Sequence, residues 1–304
     1  MIKAPKYAPL VIIVGVFAIS SASILIKWCS AAALVIAAYR VGLASLLYLG
    51  IARVMGRQVF RAQQRREWLW IVGSGACLAF HFATWITSLN YTSVASSVVL
   101  VQTSPIFVSL GGALLLGEKP GLRSIAGIII AVTGGAIIAL YDSRFEAASL
   151  MGNSLALLGA LGASGYFLLG RHLRQTMNTL DYTVLVYGTA ALFLLIFILL
   201  TGPEKLVRYD TRALGLLFAI ALVPQAIGHT SFNWALKYYT AASVSIMTLG
   251  ESVGSSLLAW LLLHESLPFY KITGGIILLC GVVTVLINEK SHTIPDTLPL
   301  TDNR

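Results

Sequence analysis

Residues 88–118 read SLNYTSVASSVVLVQTSPIFVSLGGALLLGE, and 147 positions later residues 235–265 read ALKYYTAASVSIMTLGESVGSSLLAWLLLHE. Sliding one onto the other without a gap pairs Leu89 with Leu236, Tyr91 with Tyr238, Ala95 with Ala242, Ser96 with Ser243, Ser109 with Ser256 and Glu118 with Glu265. The same offset pairs Gly127 with Gly274 and Gly134 with Gly281 downstream, and Gly15 with Gly162 and Ala44 with Ala191 upstream. The chain therefore reads as two copies of one unit.

Each copy is apolar. At 57% hydrophobic and 11% charged residues, with a mean hydropathy of +0.84, the composition lies far from that of a soluble domain, where roughly 25% of residues are charged. Spans of about twenty apolar residues can cross a bilayer as helices. Ten are expected, at 8–27, 31–54, 68–89, 92–116, 123–141, 149–170, 179–201, 212–236, 240–263 and 269–288. The first follows Lys3 and Lys6 but flows into further spans, so it reads as retained and not as a signal peptide. Cys29, Cys77 and Cys280 form no pair or metal-ligand spacing and read as small apolar fillers.

Five spans per copy is an odd number, so the second copy enters the membrane from the opposite side. The expected fold is an all-α polytopic membrane protein of two inverted repeats, 8–141 and 149–288, followed by a tail over 289–304. Alternate loops and both termini carry fourteen of the 21 Lys and Arg residues, led by the cluster Arg53, Arg57, Arg61, Arg65 and Arg66. The positive-inside rule then puts both termini in the cytoplasm. A net charge of +9 in such short loops reads as topology and anionic lipid, not as nucleic-acid binding.

The two stretches resemble the paired EamA repeats of the drug/metabolite transporter superfamily, in their short-loop helix pair, mid-helix Pro, small and apolar run, and Leu-x-Glu before the last helix. The likeness runs from about Ala8 to Asn288. It implies ten helices, cytoplasmic termini, a bacterial plasma membrane, and export or exchange of small metabolites, often amino acids. One departure stands out: Pro105 of the first copy is matched by Ser252 in the second.

Polar residues inside the spans are the candidate site. Glu251 falls about eleven residues into its span, near ~16 Å depth, where an ionised carboxylate must be paired, neutralised or wetted. It reads as a proton-coupling or amine-binding group, or as a structural partner of Arg40. Arg40, the one Lys or Arg placed well away from the span ends, pairs with Glu251, holds a substrate carboxylate, or bonds free carbonyls; its repeat counterpart is Tyr187. His81 and Trp85 share one helix face, and Gln225, His229 and Asn233 form a stripe at i, i+4 and i+8 directly after Pro224. Together with Gln102 and Tyr166, these residues are either cavity contacts or interhelical hydrogen-bond partners. Pro105 and Pro224 are the expected hinges.

No Walker motif and no metal-ligand pattern is present, so neither ATP nor a metal or other cofactor is expected. The expected function is secondary active export of a small amphipathic metabolite, foremost an amino acid or related amine, with proton coupling as the candidate drive. An antiporter of phosphorylated solutes or nucleotide sugars is the alternative within transport. From other classes, an intramembrane enzyme lacks any interpretable catalytic spacing, and a non-transporting subunit lacks an extramembrane domain. The partners are a small-molecule substrate and the bilayer, in a monomer or homodimer.

Overall fold

The computed structural model describes residues 4–60, 65–116, 122–145, 148–202 and 209–288. Glu118, the expected tail and part of the basic cluster lie outside the described residues. Every regular element within them is helical. That follows from the solvent: in hydrocarbon each backbone N–H and C=O must be satisfied within its own segment, and a helix does this.

The first half comprises α1 (Ala8–Ser20), α2 (Ala22–Trp28), α3 (Ala33–Val54), α4 (Arg65–Ser88), α5 (Val94–Val101), α6 (Ser104–Leu116) and α7 (Leu122–Phe145). The second comprises α8 (Ala148–Thr176), α9 (Thr179–Thr201), α10 (Thr211–Ile220), a π-helical segment (Ala221–His229), α11 (Thr230–Ala235), α12 (Ala241–Met247), α13 (Gly250–Leu262) and α14 (Phe269–Asn288). Eight stretches are long and apolar enough to cross a membrane, and two shorter apolar stretches, Ile125–Ile138 and Phe269–Thr284, lie in α7 and α14. Large apolar side chains such as Phe17, Leu46, Leu200 and Phe218 face outward, while Ser, Thr, Asn and Gln side chains are concentrated inside. An integral membrane protein shows this distribution because lipid, not water, covers its surface.

Helix starts repeat with the sequence. Ser93 Oγ accepts the amide of Ser96 at the start of α5, and Thr240 Oγ1 accepts that of Ser243 at the start of α12, 147 positions on. Each is an N-cap, satisfying one of the amides that a helix leaves free.

Close contacts repeat as well. A Cβ at Gly134 would collide with the backbone of Leu278 and Gly274, and one at Gly281 with the backbone of Ala131 and Gly127. The offset exchanges these two contacts, so α7 and α14 run antiparallel and meet through one self-complementary seam. Likewise Gly15 lies against Gly228 and Ser231, and Gly162 against His81 and Cys77, with Gly228 and His81 again 147 apart. Small residues let these backbones touch, which is how helices gain contact where no hydrophobic drive separates protein from lipid.

Two interior helices are broken part-way along their length. After α5 the chain turns at Gln102 and Thr103, so Pro105 sits in the first turn of α6, where its missing N–H costs nothing. The second copy breaks too, at Thr248 and Leu249, although Ser252 replaces the Pro. There the amides of Leu249, Glu251 and Ser252 bond three residues back, to Ile246, Thr248 and Leu249. Tight 3₁₀-type bonding therefore breaks this helix without help from a proline. Pro224 has a different consequence: its segment widens into π geometry instead of breaking. A π register lets the chain pass a proline whose ring and absent donor conflict with α bonding.

Candidate functional site

These breaks and the π segment converge on one cavity of about 30 Å³, lined by Ile19, His81, Trp85, Val101, Gln102, Ser104, Ala163, Tyr166, Phe167, His229, Phe232, Thr248 and Glu251. A volume of this size has room for one or two waters. Six residues singled out in the sequence line it together, and they come from α4, the α5–α6 break, α8, the π segment and α13. Gln225 and Arg40 are buried but do not line the cavity.

Glu251 has a definite partner. Gln102 Nε2 donates to its Oε2 at 3.0 Å, and Thr248 Oγ1 donates to Gln102 Oε1 at 2.8 Å. The two helix breaks are thus tied to each other across the halves. The direct Arg40–Glu251 ion pair is not formed; Arg40 Nε instead donates to Gln225 Oε1 at 2.6 Å. Its guanidinium lies over the Phe82 ring, 4.2 Å from the centroid, and 5.7 Å from that of Trp85. Such stacking is favourable for a guanidinium shielded from water.

The aromatic and imidazole groups form one wall. His81 stacks parallel to Trp85 with centroids 6.0 Å apart, and His229 reaches within 6.3 Å of His81. The Nδ1 of His81 bonds the carbonyl of Gly159 at 2.8 Å, which leaves Nε2 as the ring nitrogen without that anchor.

The stripe after Pro224 turns inward, with His229 half-buried, and its members take separate duties. Gln225 holds Arg40, His229 lines the cavity, and Asn233 bridges two tyrosines. Tyr166 donates to Asn233 Oδ1 at 2.6 Å, Asn233 Nδ2 donates to Tyr187 at 2.8 Å, and Tyr187 lies 3.1 Å from Thr230 Oγ1. A buried network with every member bonded holds the wall on which Tyr166 sits.

Hydrogen bonds close both ends of the molecule. At one end Glu265 accepts the amide of Val94 at 2.9 Å, Lys271 donates to Ser93 Oγ at 2.7 Å and Thr92 donates to Asn153 Oδ1 at 3.0 Å. At the other, Arg57 and Asp181 form an ion pair at 3.1 Å and Arg171 donates to the carbonyls of Leu236 and Lys237. Arg174 is the residue that sequence reasoning missed. Expected in a loop, it lies on α8, which runs six residues beyond its expected end, and it is 1% exposed. It donates to the carbonyls of Asn233 and Met177 and to Thr179 Oγ1. The available signal was Arg171 and Arg174 at i, i+3 spacing, which continues one helical face.

Arg174→Leu is therefore expected to lower stability by about 2–3 kcal/mol, because charge-assisted bonds to buried carbonyls are lost. Arg57→Ala should cost under about 1 kcal/mol, because its side chain is 41% exposed and an exposed ion pair contributes little. Denaturant unfolding in detergent checks both; equal losses would contradict the assignment of Arg174 as the lock at this end.

Comparison with known proteins agrees with this geometry. The model of the EamA-like transporter family matches twice, over residues 6–140 and 150–287. An uncharacterized transporter of Archaeoglobus fulgidus is 25% identical over 262 residues, covering 84% of this chain and 88% of that protein. The pseudopaline exporter CntI of Pseudomonas aeruginosa is 24% identical, covering 77% of this chain and 80% of its own length. A solved crystal structure, 16% identical, superposes with a TM-score of 0.68 over 93% of this chain and 98% of that one, which establishes a shared fold. With two matches that together span most of its length, the chain belongs to the EamA-like transporter family and is a membrane transporter, not an enzyme.

Proposed function

We propose that this protein is a secondary active transporter that exports a small amphipathic metabolite, foremost an amino acid or related amine, by alternating access. The observation that carries the reading is the cavity between the halves, built from broken helices of both and containing Glu251. Discontinuous helices at the interface of inverted repeats are where secondary transporters hold cargo and coupling ion. Ten membrane crossings follow, with α7 and α14 counted as spans, as two five-helix repeats over 8–141 and 149–288. The Lys and Arg asymmetry supports a cytoplasmic side for both termini and the tail over 289–304.

In this reading the two closed ends are gates that open in turn, and the cavity, too small for the cargo as it stands, is the contracted form of the site between them. His81, Trp85, Gln102, Tyr166, Gln225 and His229 hold the cargo, and Pro105 and Pro224 mark where the helices flex. Glu251 takes up and releases a proton as the site changes sides, with Arg40 balancing charge. Relatives in Bacillus subtilis and Pseudomonas aeruginosa support a bacterial plasma membrane, and the exporter name of one relative supports outward transport. A phosphorylated cargo is disfavoured because Arg40, beside the wall residue Trp85, offers one cation to a group that carries nearly two negative charges.

Flux in proteoliposomes under an imposed pH gradient tests this, across the twenty amino acids, their amines and a set of sugar phosphates. Gradient-driven movement of an amino acid or amine is the expected result. Exchange of sugar phosphates alone would transfer the assignment to the antiporter class, and no movement of any solute would end the transport reading.

A further inference from the structure

Arg40 and the groups around it are left incompletely bonded. Arg40 is 1% exposed, Gln225 is 0% exposed and Trp85 is 2% exposed, yet Arg40 Nη1 and Nη2, Gln225 Nε2 and Trp85 Nε1 have no hydrogen-bond partner among the described residues. All four atoms are donors, and they come from three adjacent elements: α3, α4 and the π segment. Burying such groups without acceptors is costly, and most of all for a charged guanidinium. Buried polar atoms in native proteins are bonded, so a convergent set of orphans signals a missing complement.

The chemistry of that complement is constrained. It accepts and does not donate, and it carries one negative charge to match one guanidinium. It presents at least two oxygens, because the free Nη1 and Nη2 edge of Arg40 suits bidentate binding. A carboxylate fits each condition. Water would satisfy the donors but leave the charge unbalanced, and a dianionic phosphate would bring more charge than one cation offsets.

Trp85 connects this cluster to the cavity: its ring centroid lies 5.7 Å from the guanidinium carbon, and it also lines the cavity that contains Glu251. Arg40 and Glu251 are not paired with each other, so the Nη edge of Arg40 is not taken up by that carboxylate. We infer that Arg40, Gln225 and Trp85 form a carboxylate subsite and that the cargo is a zwitterion, with its carboxylate on Arg40 and its ammonium on Glu251. This rests on the transport reading above and narrows it, since it excludes plain amines as good cargo. The apolar and aromatic lining by Phe167, Phe232 and Ile19 leaves the side chain of the guest to pack against carbon.

Binding tests the subsite without requiring flux. Purified protein in chloride-free sulfate buffer is titrated with each of the twenty L-amino acids and, for those that raise the unfolding temperature, with the matching decarboxylated amine and carboxamide. The amine and carboxamide are expected to bind at least about tenfold more weakly than the acid, since each leaves the buried cation unmatched. In Gln225→Ala and Arg40→Lys that advantage should fall to about threefold or less. Equal binding of acid and amine overturns the inference, as does the absence of binding by any amino acid. Stabilisation by sodium chloride alone, with no further gain from an amino acid, would assign the subsite to an inorganic anion and also overturn it. Failure of transport with intact acid-selective binding would instead reject the transport reading and leave the subsite standing. If neither variant folds, the wild-type comparison of acid and amine still decides.

Discussion

Glu251→Gln is expected to reduce pH-gradient-driven flux by roughly 100-fold, the upper part of the range for coupling between two binding sites. The substitution keeps shape and an acceptor oxygen, so the bond from Gln102 Nε2 persists and the tie between the two helix breaks is retained. What disappears is the capacity to carry a proton. Stability should not suffer, because removing a charge from a buried position while leaving its hydrogen bond intact is close to neutral or favourable. The titratable and charged groups around Glu251 are His81, His229, Tyr166 and Arg40, each on another element. His81→Gln and His229→Gln serve as comparisons, and neither should match the loss at Glu251. Flux and unfolding temperature measured on the same preparations check this. Full gradient-driven flux in Glu251→Gln would demote the residue to a helix contact.

The second large effect is mechanical. Gly281→Leu and Gly134→Leu should each prevent stable folding, with a loss of at least about 3 kcal/mol, because the new side chain meets backbone that has nowhere to move. The two substitutions should behave alike, since the 147-residue offset exchanges their contacts. A Cβ added at Gly215 would meet nothing within 4 Å, so Gly215→Ala should be neutral or stabilising by up to about 1 kcal/mol. The monodisperse yield after detergent extraction ranks all three. A folded Gly281→Leu protein would contradict the close seam between α7 and α14.

Much of this architecture was legible in the residues because hydrophobic length and a repeat are coarse signals. The glycine pairs at Gly15 with Gly162 and Gly134 with Gly281 follow from pattern alone. Other features depend on competition between neighbours that no spacing encodes. The break at Thr248 occurs without a proline, through local 3₁₀ bonding that a Pro-based reading cannot anticipate. Pro224 reads as a hinge, but a proline alone does not say whether its helix breaks or widens into π geometry. Depth alone makes Glu251 look like the partner of Arg40, while rotamer and stacking on Phe82 turn the guanidinium toward Gln225. Arg174 was hidden because a long cationic side chain just past an apolar run resembles a loop charge.

Alternating access is tested most directly by following both ends at once. In a background without the three native cysteines, single cysteines at Thr92 and at Thr179 report the two ends, each labelled with an impermeant maleimide from its own side of oriented vesicles. Addition of the amino acid that binds best, under opposite pH gradients, is predicted to raise labelling at one position while lowering it at the other, and to reverse with the gradient. Reactivities that rise together would mean a channel-like opening through both ends, and reactivities that never change would mean that the cavity around Glu251 is a fixed structural centre; either result would contradict the account.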